Sequence, residues 1–192
     1  MSMRRTLAVL ALIVTASSLP GQQASFEQQL SPTAIDEFVA ELFEDYEPPA
    51  AAYAVDIYQL LVETTHPSGV ATPVRVQLFV PRTGEAAPRG SYLFAPGSTG
   101  LINPCRPSRE HEAGIHWGLY RAHVLSLAGQ GFVGILPDYM GFEDWDLLQP
   151  YFHAESEARL LVDVTVAVHD FLSGGIEGAR IDGGLSGLTR VG

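Results

Sequence analysis

GQGFVGILPDYMGFED, residues 129–144, decides the fold. Glycines at 129 and 131 end a helix, and the run Phe132–Leu136 that follows has no polar side chain. The run then meets Pro137-Asp138-Tyr139, a turn. A strand that is apolar on both faces belongs in a sheet covered on both sides by helices. Upstream, Tyr120, Val124, Leu127 and Ala128 mark one face of a helix at about 118–129. Ser91–Ala95 is a short strand before it. Downstream, Leu160, Leu161, Val164, Val168, Phe171 and Leu172 form the apolar stripe of a second helix. Glu155 and Glu157 fall in its first turn and His169 near its end, each where the helix dipole favours that charge. Leu188-Thr189-Arg190-Val191 is read as one more strand, parallel to 132–136.

Ahead of this β–α–β–α–β order lies a different pattern. Ser31 and Pro32 start a helix whose face is Ile35, Phe38, Val39, Leu42 and Phe43, ended by Pro48-Pro49. Two strands, 54–65 and 72–80, flank a Pro-Ser-Gly turn at 67–69. Val74, Val76, Leu78 and Val80 share one face of the second strand; Arg75, Gln77 and Phe79 share the other, expected to be partly wet. The fold class is therefore α/β: an N-terminal antiparallel hairpin leading into a parallel sheet flanked by helices. The aperiodic segment 96–117 is long enough to suggest that it lines a site.

Composition removes several functions. All 11 basic residues are arginine, which excludes lysine Schiff-base chemistry and a GK[ST] phosphate loop. With 22 acidic residues and a net charge of −11, the chain has no basic face for nucleic acid. The N-terminus, Arg4-Arg5 followed by the apolar run Leu7–Val14 and small residues at 16–18, has the form of a secretory signal peptide. The expected organisation is a signal peptide at 1–18, with cleavage as late as residue 24, a linker at 19–30, and one domain at 31–192. The run is too short to span a bilayer, so no stable membrane anchor is expected. One cysteine, Cys105, forms no internal disulfide and is read as structural; the expected location is secreted or periplasmic.

YLFAPGSTG (92–100), CRPS (105–108), LAGQGFVGILPDYMG (127–141) and PYFHAESEARLLVDV (150–164), in this order and spacing, resemble the secreted esterase and lipase branch of the α/β-hydrolase superfamily. The resemblance covers about Tyr53 to Gly192. It implies a serine hydrolase of carboxylic esters, with small-molecule or lipid esters as partners and no cofactor. In such proteins the strand after the HAESEA-like helix delivers a G-x-S-x-G turn, where flanking glycines let the serine stand on a strained bend. Gly192 occupies the place of the first elbow glycine. The resemblance thus implies an incomplete α/β-hydrolase fold, truncated at the nucleophile elbow and inactive alone. It also places Ser98 and Thr99 as candidate oxyanion-hole donors, in the loop after the third strand. Many relatives have a His-Gly pair where this chain has Pro96-Gly97. The alternative from another class is a non-catalytic secreted binding module, or a truncated relic.

Other constellations are weaker. Ser186 in GGLSGL lacks one residue of the elbow pattern and precedes a strand rather than following one. HEAGIH (111–116) spaces its histidines five apart, so a helix would separate them; no metal is expected. His123 is expected to pack on its helix, and His153 to cap or pack at the start of the next. Asp138, Asp144 and Asp146 are read as turn residues. No G-x-G-x-x-G follows a strand, so no dinucleotide site is expected.

Overall fold

Val-, Ile- and Leu-rich runs of eleven residues build β2 (Val55–Thr65) and β3 (Ala71–Pro81) in a computed structural model that describes residues 23–42, 47–112, 119–144 and 146–174. The hairpin closes where Gly69 takes φ +85° and the His66 amide donates to the Val70 carbonyl. From there the register is unbroken, Thr65 against Ala71 through Val55 against Pro81. Val74, Val76, Leu78 and Val80 all reach one core, against Leu160, Val164 and Phe171 of α3 (Ala154–Leu172).

The opposite face is drier than its sequence suggests. Gln77 and Phe79 are fully buried, and only Arg75 keeps partial contact with water. α1 (Pro32–Leu42) and α2 (Tyr120–Ala128) cover it, placing Ile35, Val124 and Leu125 over Phe79 and Ile57. Alternation marks which residues share a face, but not whether another helix covers that face.

β4 (Ser91–Leu93) and β5 (Val133–Pro137) complete a five-stranded sheet in the order β1-β2-β3-β5-β4. β5 runs antiparallel to β3 and parallel to β4, with α2 as the crossover between the parallel pair. All five of its residues are buried, as the opening motif predicts. Both sides of β5 are thus occupied, and its parallel neighbour is 91–93 rather than 188–191. The run 188–191, Ser186, Gly192 and the signal segment 1–18 lie outside the described residues.

The expected linker at 19–30 is corrected over its last eight residues. Gln23–Leu30 form β1, an edge strand antiparallel to β2, with a register shift between Phe26 and Gln28. Its mostly polar composition hides it; backbone pairing with β2 holds it, together with Ala24 and Leu30 against the core and Phe26 edge-on to Tyr58. Glu27, at the shift, accepts hydrogen bonds from Gln59 Nε2 (2.7 Å), Gln77 Nε2 (3.1 Å) and Arg121 (3.2 Å).

Local signals at the helix ends are met. Ser31 Oγ accepts from the Ala34 amide at 3.2 Å. His153 caps α3, its Nδ1 accepting from the Ser156 amide at 3.3 Å. The start of α2 uses a remote group instead: the buried Glu110 carboxylate accepts from the Leu119 and Tyr120 amides (2.9 and 2.8 Å). An anion is favoured at that end of a helix. Among the described residues no helix is long and apolar enough to cross a membrane.

Gly134, mid-strand in β5, is where α2 comes closest to the sheet. A Cβ there would lie 2.3 Å from Val124 Cγ1 and 3.2 Å from Phe79 Cβ. Gly134→Ala is therefore expected to cost about 1–3 kcal/mol by overpacking, read from urea melts. Adding Val124→Ala should recover part of that loss; a melt unchanged by Gly134→Ala would show that the layers are not in contact.

Candidate active site

The C-terminal ends of β4 and β5 open into a cavity of about 190 Å³. Residues 96–100, leaving β4, form one wall. Tyr139, Met140 and Phe142, leaving β5, form another, and the first turns of α3 close the third with Glu157 and Leu160. Clefts at the carboxyl ends of parallel strands are a recurrent place for ligands, since successive loops diverge there. Ser98 and Thr99 both line this cavity.

Three tyrosines hold three successive residues of the 96–100 loop. Tyr139 Oη donates to the Pro96 carbonyl at 2.6 Å. The Gly97 amide hydrogen-bonds the Tyr120 hydroxyl, whose pKa burial nonetheless raises. Ser98 Oγ and Tyr151 Oη share a hydrogen bond of 2.8 Å. Gly100 takes φ +131°, and a Cβ there would stand 2.7 Å from Cys105 Sγ, so Cys105 packs under the loop's end. With the Gly97 amide engaged by Tyr120, the Ser98 and Thr99 amides remain, neither hydrogen-bonded to another described residue. A loop held at this many points can present its amides without reorganising, which is what stabilising a developing oxyanion demands.

Behind the loop lies a buried polar layer that the sequence reading missed. Asp138 is not a turn residue: it is fully buried and accepts from Ser108 through both the amide (2.8 Å) and Oγ (2.7 Å). Desolvation raises its carboxyl to about 6, against the lowering effect of those bonds and of Arg106. Beside it Glu143 takes a two-pronged contact from Arg75 (3.0 and 3.1 Å) and a further one from Arg106. Asn103 Nδ2 donates to the Phe142 carbonyl at 2.7 Å, tying 103–109 to the segment after β5. The signal for this layer was the pairing of the CRPS and PDY runs, but nothing in sequence joins positions 30 residues apart. Asp144 behaves as a turn aspartate, accepting from the Asp146 amide at 2.9 Å.

The remaining candidates are placed as follows. His123 stacks on Phe94, ring centroids 5.5 Å apart, with its pKa lowered by burial. His111 faces Glu27 at 3.8 Å, and burial lowers its pKa too. Residues 113–118 of the HEAGIH segment and beyond lie outside the described residues. Among the described residues no group of three or more His, Cys, Asp or Glu could hold a metal ion.

No family model and no curated protein matches the sequence. Solved structures match the fold. The rice cell wall degrading esterase LipA from Xanthomonas oryzae, in a ligand-bound form, aligns over 79% of this chain and 37% of its own with a TM-score of 0.57. The fold is that of the α/β hydrolases. A provisionally assigned hydrolase from Legionella pneumophila aligns over 80% of this chain and 40% of its own, TM-score 0.58. Identities are 20% and 21%, so the likeness establishes this α/β-hydrolase fold and not the chemistry. The chain spans about two fifths of the length of these hydrolases.

Proposed function

We propose that this chain is the N-terminal part of a secreted serine hydrolase of carboxylic esters. In this reading it forms the scaffold and one wall of the active site. Ser98 and Thr99 supply the oxyanion-donor loop. The nucleophile, its histidine base and the orienting acid fall to residues outside 1–192, after the elbow glycine Gly192, and a small-molecule or lipid ester is the substrate. The observation that carries the reading is the tyrosine-held loop at the mouth of the cavity, with two amides that hydrogen-bond no other described residue. Acyl transfer places negative charge on the carbonyl oxygen, and losing one such donor costs about 10²–10³ in rate. Without an activated nucleophile the oxyanion does not form at all, so the chain alone is inactive.

Two measurements on purified 1–192 test this. With p-nitrophenyl butyrate, no turnover above the buffer rate is expected; turnover abolished by a serine-directed inhibitor would place the nucleophile inside the chain. With ¹⁵N-labelled protein, methyl butyrate is expected to shift the Ser98 and Thr99 amide resonances. Shifts confined to other regions would remove the cavity from the active site. Secretion is tested by expressing the chain in a bacterial host and mapping its mature N-terminus, expected between residues 19 and 25.

A further inference from the structure

Two glutamates stand in the first turn of α3, in different surroundings. Glu155 is 79% exposed and lies 3.6 Å from Arg159. It meets the helix dipole from the solvent side. Glu157 is half-buried and lines the cavity. Its carboxylate has no ion-pair or hydrogen-bond partner among the described residues. Its charge is felt within that space: after burial, it is the next cause of the raised pKa of the Tyr139 hydroxyl. That hydroxyl holds the Pro96 carbonyl, so Glu157 shares its surroundings with the loop assigned above to the oxyanion.

Four aromatic residues, Tyr139, Phe142, Tyr151 and Phe152, share the lining with this carboxylate. Aromatic rings attract a cation electrostatically, most strongly where water is excluded, and such rings are used to hold quaternary ammonium groups. The two tyrosine hydroxyls are already engaged, Tyr139 with Pro96 and Tyr151 with Ser98. A quaternary ammonium brings no N–H that would need them, and its methyl groups pack on rings as hydrocarbon does. At about 190 Å³ the space is smaller than the roughly 300–1,000 Å³ pockets that enclose drug-sized ligands, so it takes one arm of a substrate. An unpaired carboxylate here also opposes negative charge developing at the oxyanion loop, since like charges repel. A cation carried in by the substrate cancels that opposition.

We propose that Glu157 is the specificity residue of this cavity and that the ester it takes carries a quaternary ammonium arm. The proposal rests on the ester-hydrolase reading above.

The test uses the full 192-residue chain and pairs of esters alike in shape but not in charge. Acetylcholine against 3,3-dimethylbutyl acetate places the cation on the alcohol side. Methyl 4-(trimethylammonio)butyrate against methyl 5,5-dimethylhexanoate places it on the acyl side. Dissociation constants come from amide shifts of Ser98 and Thr99. At least one cationic ester is expected to bind about 10-fold tighter than its neutral partner. Glu157→Gln should abolish the preference. Glu155→Gln, which removes the same charge from the same turn, should keep it. Equal binding within both pairs would overturn the cation proposal while leaving the ester site standing, as would a preference that survives Glu157→Gln. A preference lowered as much by Glu155→Gln would also overturn it, because a chain of net charge −11 attracts any cation. No shift at Ser98 and Thr99 with any of the four esters would sink both.

Discussion

Cutting Glu27 back to alanine is expected to lower the unfolding free energy by about 3–5 kcal/mol, the usual cost of leaving a buried charge without its partner. Arg121, on α2, is 3% exposed and points its guanidinium at Glu27. Burial alone would raise the Glu27 carboxyl. The Arg121 charge and the hydrogen bonds from Gln59, Gln77 and Arg121 instead carry it below the usual carboxylate range. The truncation removes the acceptor for all three donors and strands the guanidinium beneath β1. Glu27→Gln keeps the shape and an acceptor and should cost less. Combined with Arg121→Met, Glu27→Ala should cost clearly less than the sum of the two single changes, because the stranded charge is gone. Urea denaturation measures each; a loss under about 1 kcal/mol for Glu27→Ala would show that water reaches the pair and screens it. Because the folded-state pKa is lowered, the stabilisation from Glu27 is full above the unfolded value of 4.5. It is lost as pH falls through the lower folded value.

Asp138 should respond to pH in the opposite sense. Burial raises its carboxyl from 3.8 to about 6. The folded protein therefore holds this proton more tightly than the unfolded chain does. Its contribution is full below pH 3.8 and is lost as pH rises through about 6. A shift of about two units corresponds to about 3 kcal/mol. Since Glu27 works against it in acid, the clean measurement is the difference between wild type and Asp138→Asn. Asparagine keeps an acceptor for the Ser108 amide but does not titrate. From pH 7 to pH 4.5 the wild type should gain stability relative to the variant by about 2 kcal/mol. A constant difference across that range would mean that Ser108 and Arg106 hold Asp138 ionised despite its burial.

Both effects come from parts of the molecule that sequence periodicity does not reach. Glu27 lies in a mostly polar run, SFEQQ, where Phe26 alone does not announce a strand. Asp138 follows a strand and precedes a tyrosine, which is how a turn aspartate is written. Its burial depends on Ser108, brought across from a segment without regular pattern. The candidate site divides in the same way. Ser98 and Thr99 were legible as a loop after a strand in a recognisable series of motifs. The tyrosines at 120, 139 and 151 were not, because their targets at 97, 96 and 98 are 23 to 53 residues away.

By itself the sequence determined the hairpin, the three helices with the caps of α1 and α3, the buried strand read at 132–136 and the α/β class. Each follows from local chemistry: an apolar period of two or about 3.6, a glycine at a positive φ, or a serine or histidine ahead of a helix. Tertiary structure alone decided that β5 lies between β3 and β4, that Glu27 reaches Arg121, and that Asp138 is dry. These depend on which layers cover one another. Burial, and with it the strength of every charge and hydrogen bond at the site, is set by neighbours distant in the chain.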